Sequence, residues 1–292
     1  MKPTVALVLG SGGARGIAHI GVIRELINEG YEISSITGTS MGALIGGVYA
    51  AGKLDEFESW LRSLSKMDIF NLVDFTLSTQ GIIKADRFLL EIQKFIPDQK
   101  IEDLPIHYAA VTTDLKNKKE VVITNGSLFE AIRASISIPM VITPIHKIDT
   151  LFVDGGILNP VPVNRAFRQE NDMLVAVNLN AIIPYEKPTN NDPEWGYFEK
   201  LSKRKLIGFQ KKLSKLFPVN EKENMGYFSL IGETTSLMLS QISKLTLEIN
   251  PPDLLIEISR QSCGTFEFYK APELIELGRK AAMESVANLR QT

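Results

Sequence analysis

Short apolar runs alternate with segments of helical spacing along the first half of this chain. Val5-Ala-Leu-Val-Leu9, opened by Thr4, is apolar at every position, as a strand buried on both faces would be. Gly10 to Gly16 breaks the run. Ile17 to Asn28 then returns to a 3.6-residue period, and Gly30 suits a helix stop. Tyr31 to Ile36 reads as a second buried strand, and Ala43 to Ala51 as a helix of small apolar residues. This alternation predicts an α/β fold with a mainly parallel sheet.

Leu54 to Leu64 and Ala85 to Ile96 have amphipathic helical patterns with a less regular stretch between them. Ile106 to Thr112 reads as a core strand and Glu120 to Thr124 as its partner. Ser127 with Glu130 forms a capping box for a helix that runs through Ala134 and stops before Pro139. Leu151 to Val153 is a short strand ending at Asp154-Gly155-Gly156, and Met173 to Leu179 is another buried one. Beyond Pro184 the composition shifts. Asn190 to Pro193 is turn-like, and Ser236 to Leu247 reads as a helix that Pro251-Pro252 ends. Leu254 to Ile258 reads as a last strand, and Leu274 to Leu289 as a closing helix. The expected layout is one domain over 1–292: a core of about 4–182, a helical basic insertion or lid of about 184–248, and a C-terminal strand and helix of about 252–290.

A net charge of -2 argues against a general nucleic-acid binder. Cys263 is the single cysteine, so no intrachain disulfide forms, which fits a reducing cytoplasm; in a loop between Ser262 and Gly264 it reads as a bystander. The first apolar run is too short for a signal-peptide core, and no stretch approaches the roughly 18 apolar residues of a membrane span. Any membrane contact is therefore expected to be peripheral.

Three elements carry candidate chemistry. Gly38-Thr-Ser-Met-Gly42 reads G-x-S-x-G between a strand and a helix, which is the context of a nucleophile elbow with Ser40 at its tip. Gly10-Ser-Gly-Gly-Ala-Arg-Gly16 presents main-chain amides after a strand. Arg15 stands where a dinucleotide fingerprint needs its last glycine, and no Gly-Lys-Ser/Thr is present, so an oxyanion hole built on the Gly12 and Gly13 amides fits better than a nucleotide site. Asp154 alone would read as a turn residue. Its place at a strand terminus makes it a candidate, because strand ends in open α/β sheets converge on one crevice.

The histidines limit the mechanism. Only His19, His107 and His146 exist, and none follows Asp154 as the Ser, Asp, His order of α/β-hydrolases requires. A Ser-Asp dyad is the simpler reading, with Asp154 taking the Ser40 proton directly. The sequence contains no H-E-x-x-H, no Cys/His cluster and no calcium-loop spacing, so neither metal nor cofactor is expected.

Taken together, the glycine loop, the elbow and the Asp154-Gly155-Gly156 motif resemble the patatin-like phospholipases. Thr113-Asp-Leu115, Ala134-Ser-Ile-Ser-Ile-Pro139, Asn159-Pro-Val-Pro162 and the region from Pro252 through Phe268 to Gly278 extend the likeness over most of the chain. The resemblance implies a three-layer α/β/α fold with a helical C-terminal extension and metal-independent lipid acyl hydrolysis. It also implies a Ser40–Asp154 dyad and an oxyanion hole at Gly12 and Gly13, with Gly10, Arg15, Gly38, Gly42, Gly155 and Gly156 as motif positions. One departure is Gly10-Ser11-Gly12-Gly13, where many members have Asp-Gly-Gly-Gly; the two donor glycines are kept. Acyl transfer through the same acyl-enzyme, and an idle lipid-binding regulator, are the rival readings. Between Lys200 and Phe217 seven basic and no acidic residues face an apolar stripe of Leu206, Phe209, Leu213, Leu216 and Phe217. Such a segment suits either a surface helix or a peripheral contact with anionic membrane, a cytoplasmic enzyme meeting the inner face.

Overall fold

The computed structural model describes residues 2–72, 86–97, 99–139, 142–185 and 227–291. Lys200–Phe217 lies outside them. By internal contacts the chain divides into one unit of Met1–Pro184 with Leu237–Thr292 and another of Tyr185–Ser236. The site described further on lies entirely within the first.

A mixed, mostly parallel sheet forms the centre. Its strands are β1 (Thr4–Leu9), β2 (Glu32–Thr39), β3 (His107–Asp114), β4 (Lys119–Ile123), β5 (Ile145–Lys147), β6 (Thr150–Asp154), β7 (Met173–Ala181) and β8 (Leu254–Ser259). They lie in the order β5-β6-β3-β2-β1-β7-β8, with β4 also paired to β3. The five strands from β3 to β8 are mutually parallel. At the other edge β4, β6 and β5 run antiparallel to their neighbours. The short apolar runs of the sequence are these parallel strands, buried by helices laid across the sheet.

The helices are α1 (Ala18–Asn28), α2 (Met41–Ala50), α3 (Leu54–Ser63), α4 (Lys66–Leu72), α5 (Asp86–Gln93), α6 (Leu128–Ser135), α7 (Tyr227–Ile249) and α8 (Ala271–Leu289). Two differ from the sequence reading. The irregular stretch after Leu64 contains the short helix α4, and α7 starts well before Ser236. The first turn after the glycine loop is 3₁₀, over Gly13–Ile17. The Ser127 hydroxyl accepts the Glu130 amide and caps α6, as the spacing predicts.

Strand alternation divides the core. Val5, Leu7 and Leu9 face the larger cluster, which holds α1, α2 and α8, while Val8 faces a smaller one with Val161, Val163, Ala176 and Leu247. Ile20, Ile23 and Leu26 of α1 are fully buried, each contributing about 1.5–3 kcal/mol. Where α1 crosses α8, a side chain at Gly21 would collide with the Ile275 carbonyl and one at Gly278 with the Ala18 carbonyl. Among the described residues no helix is long and apolar enough to cross a membrane.

Candidate active site

Ser40 sits between the end of β2 and the start of α2 with φ 57° and ψ -123°, a region that costs a non-glycine residue roughly 1–3 kcal/mol. Packing enforces this bend. A side chain at Gly42 would strike the Leu9 carbonyl, and one at Gly38 would come within 2.5 Å of the Ala43 nitrogen. The Ser40 amide donates to the Ser135 hydroxyl at 2.9 Å, and that hydroxyl donates to the Val111 carbonyl at 2.6 Å. Ser135 is fully buried at the end of α6, so it splints the elbow to β3. The sequence marks Ser135 only as part of a motif; its partner lies 95 residues away and leaves no local signal.

Asp154 reaches the same place from the opposite direction. Thr39 of β2 is level with Val111 of β3, and the next β3 residue, Thr112, is level with Asp154 of β6. β4 occupies the other edge of β3, pairing Ala110 to Asp114. β2 running up and β6 running down therefore share one edge of β3 and meet head-on. The sequence reading expected Asp154 at a strand end in the sheet's crevice. Asp154 does end a strand, but an antiparallel one that terminates against β2, not one of a row of parallel strand ends.

The carboxylate is divided in its bonding. Oδ1 accepts the Gly156 amide at 2.7 Å, while Oδ2 is buried and closes no hydrogen bond of normal geometry with a described group. Burial pushes the Asp154 carboxyl up to about 6, opposed by the approach of the Ser40 hydroxyl and by the Gly156 amide. The Ser40 hydroxyl is thus near enough to the carboxyl to favour its charged form. Gly155 lies with its α-carbon against the Val111 carbonyl, where a side chain would not fit.

The glycine loop is pinned at three amides and open at two. Gly10 donates to Val177, Ser11 to Pro160 and Ala14 to Thr265. Among the described residues the Gly12 and Gly13 amides donate to none, and Gly13 has φ +56°, a conformation that favours glycine. Arg15 reaches β7 and the loop after β8. Its guanidinium donates to the Leu179 and Cys263 carbonyls and to Asn180 Oδ1. Asn180 in turn donates to the Ser11 carbonyl at 3.0 Å. Arg15 is therefore a clamp on the loop, as is the segment after Asp154: the Asn159 carbonyl accepts the Thr39 hydroxyl and the Pro160 carbonyl accepts the Ser11 amide.

None of the three histidines adjoins the Ser40–Asp154 pair. His19 is fully buried, with Nε2 2.8 Å from the Gly10 carbonyl, and burial pushes it down to about 4 despite that bond. A neutral ring donating through Nε2 holds the loop. His107 opens β3, four residues before Val111, and stacks on Phe167 with centroids 4.0 Å apart. His146 is exposed on the edge strand β5. Among the described residues no group of three His, Cys, Asp or Glu side chains is placed to hold a metal.

Beside Ser40 opens a narrow apolar cleft of about 40 Å³. Met41, Ile136 and Ile142 line it together with Phe88, Phe266 and Phe268. Among the described residues no charged side chain lines it.

A family model described as patatin-like phospholipase matches residues 7–167. An uncharacterized NTE family protein of Mycobacterium tuberculosis is 37% identical over 98% of this chain and 92% of its own length. The lysophospholipase NTE1 of Yarrowia lipolytica is 26% identical over 98% of this chain, which matches 20% of that protein. Among solved structures, VipD from Legionella pneumophila superposes with a TM-score of 0.46 at 14% identity, covering 99% of this chain and 66% of its own.

Proposed function

The chain belongs to the patatin-like phospholipase family and is a hydrolase of lipid esters, and from that premise we propose that it works through a Ser40–Asp154 dyad and an acyl-enzyme. The observation that carries the reading is the head-on meeting of β2 and β6 on β3, which brings a strained Ser40 to the end of the strand that carries Asp154, whose buried Oδ2 has no partner among the described residues. Ser40 Oγ attacks the ester carbonyl carbon as its proton passes to Asp154 Oδ2. The carbonyl oxygen becomes an oxyanion held by the open amides of Gly12 and Gly13. Removing one oxyanion-hole donor commonly costs about 3–4 kcal/mol in the transition state. The tetrahedral species collapses, the ester C–O bond breaks, and the departing alcohol takes the proton from Asp154. Water, deprotonated by the same carboxylate, then attacks the acyl-serine and returns Ser40.

A carboxyl poised near 6 suits both proton transfers at neutral pH: it is ionised when it must accept and still acidic enough to donate. The test is labelling with a fluorophosphonate followed by peptide mass spectrometry, together with lipid analysis after incubation with wild type and Ser40→Ala. Label on Ser40 and fatty acid released only by wild type are expected. Unlabelled Ser40 with undiminished hydrolysis by the variant would overturn the assignment.

A further inference from the structure

The family match ends at residue 167, yet part of the cleft wall beside Ser40 comes from a loop nearly a hundred residues later. That loop, Ser262 to Phe268 between β8 and α8, is firmly built. Glu267 accepts the Gly264 amide at 2.8 Å, the Tyr269 hydroxyl at 2.8 Å and the Lys270 ammonium at 2.7 Å. Its start is held by Arg15 through the Cys263 carbonyl, and its middle by the Ala14 amide on the Thr265 carbonyl. The loop that carries Phe268 is thus tied to the same glycine loop that offers the open amides.

Phe268 packs on Phe88 of α5, with ring centroids 5.6 Å apart and planes tilted by 48°, and both line the cleft. Both rings are 8% exposed. An aromatic pair of this kind contributes about 0.5–1.5 kcal/mol beyond its buried area, so the contact resists opening. The space left beside Ser40 is small, about 40 Å³. A long acyl chain extending from an ester at Ser40 meets the two rings within a few carbons.

We infer that Phe88 and Phe268 together form the end wall of the acyl slot and set the acyl-chain length the enzyme accepts. This rests on the reading of Ser40 as nucleophile. A short chain fits in front of the rings. A longer chain must part them, which raises its barrier relative to the short one.

The test is a series of monomeric p-nitrophenyl esters from two to ten carbons, each below its critical micelle concentration, with kcat/KM measured for wild type, Phe88→Ala and Phe268→Ala. The quantity read is the ratio of the ten-carbon to the four-carbon ester, which cancels any uniform loss. In wild type the ratio is well below one, and each variant raises it about 10-fold, since one or two carbons of misfit in an apolar pocket commonly discriminate 10- to 200-fold. Phe88→Leu and Phe268→Leu, which keep more of the packing, give an intermediate rise and carry the test if the alanine variants unfold. A flat wild-type profile, or variants whose ratio stays within two-fold of wild type, overturns the inference. Wild type that turns over none of these esters and leaves Ser40 unlabelled refutes the proposed nucleophile instead.

Discussion

The elbow at Ser40 and the turn at Asp154 stand one rung apart on β3, and each is held out of its ordinary state by a different force. At Ser40 the departure is steric: a left-handed backbone that glycines on either side permit and packing against Leu9 enforces. At Asp154 the departure is electrostatic: ordinary strand geometry carries a carboxyl into a place where its charge is poorly solvated. Strain in a backbone does not depend on pH, whereas a desolvated charge does. Substitutions on the two sides should therefore have different signatures, even where both abolish turnover.

The largest effect is expected at the nucleophile. Ser40→Ala should lower kcat by about 10⁴ or more, while thermal melting stays close to wild type because the backbone bend is imposed by its neighbours. Near-wild-type hydrolysis of a short-chain ester by this variant would remove Ser40 from the chemistry.

Asp154→Asn should be nearly as damaging to turnover, since an amide cannot accept the proton, but it should melt at a higher temperature than wild type at pH 8. The sign follows from linkage. The folded carboxyl titrates near 6 against an ordinary 3.8, so the folded state binds its proton more tightly. Its favourable contribution is complete below about pH 4 and is lost as pH rises through 6. Above that, the buried charge opposes folding by up to about 3 kcal/mol, which the amide avoids. Calorimetry at pH 4 and pH 8 checks this, with a gain confined to pH 8 expected. An equal or lower melting temperature at pH 8 would mean that Asp154 is adequately stabilised as an anion. The same displacement predicts that wild-type kcat/KM falls on acidification with an apparent pKa near 6, not near 4.

Ser135→Ala sharpens the comparison, because it loosens the elbow without touching the carboxyl. It leaves the buried Ser40 amide and Val111 carbonyl without their partner, costing about 1–3 kcal/mol. We expect kcat to fall about 10- to 100-fold with KM little changed and with the acid limb of the pH profile unmoved. A shifted limb would mean that Ser135 acts through Asp154. The smallest effect belongs to His107→Gln. Its ring is about 13 Å along β3 from the Thr39 level at roughly 3.3 Å per residue, so activity should stay within two-fold. A folded His107 variant as inactive as Ser40→Ala would break the dyad reading.

What was legible in the sequence was whatever is enforced locally. Gly38, Ser40 and Gly42 announce a sharp turn by their spacing, and the collision Gly38 avoids, with Gly42 and Ala43, is local, whereas the one Gly42 avoids is with Leu9 at the end of β1. The buried parallel strands show as apolar runs. Ser135, Phe88 and Phe268 escaped because their roles depend on partners far away in sequence: 95 residues for the Ser135–Ser40 bond, and 180 for the two rings. Nor did a run as short as Leu151 to Val153 carry its direction; only the pairing with β3 makes β6 antiparallel and brings Asp154 down onto the end of β2. Arg15, conspicuous beside the glycines, proved to be a tether to carbonyls at Leu179 and Cys263.

The register on β3 has a consequence for how this protein tolerates change. Because Val111 is level with Thr39, the residue before Ser40, and Thr112 is level with Asp154, the separation of Ser40 from Asp154 is measured along neighbouring rungs of one strand, and not along the 113 residues of chain between them. Turns and helices in that interval can lengthen or shorten without altering the spacing, as long as they return the chain to the same rungs. One residue inserted between Val111 and Thr112 is another matter. It would slide the carboxyl about 3.3 Å from the hydroxyl and turn every following side chain to the opposite face of the sheet. Insertions scanned across this region should therefore be accepted at Lys116 to Lys118, in the turn before β4, and rejected in the middle of β3.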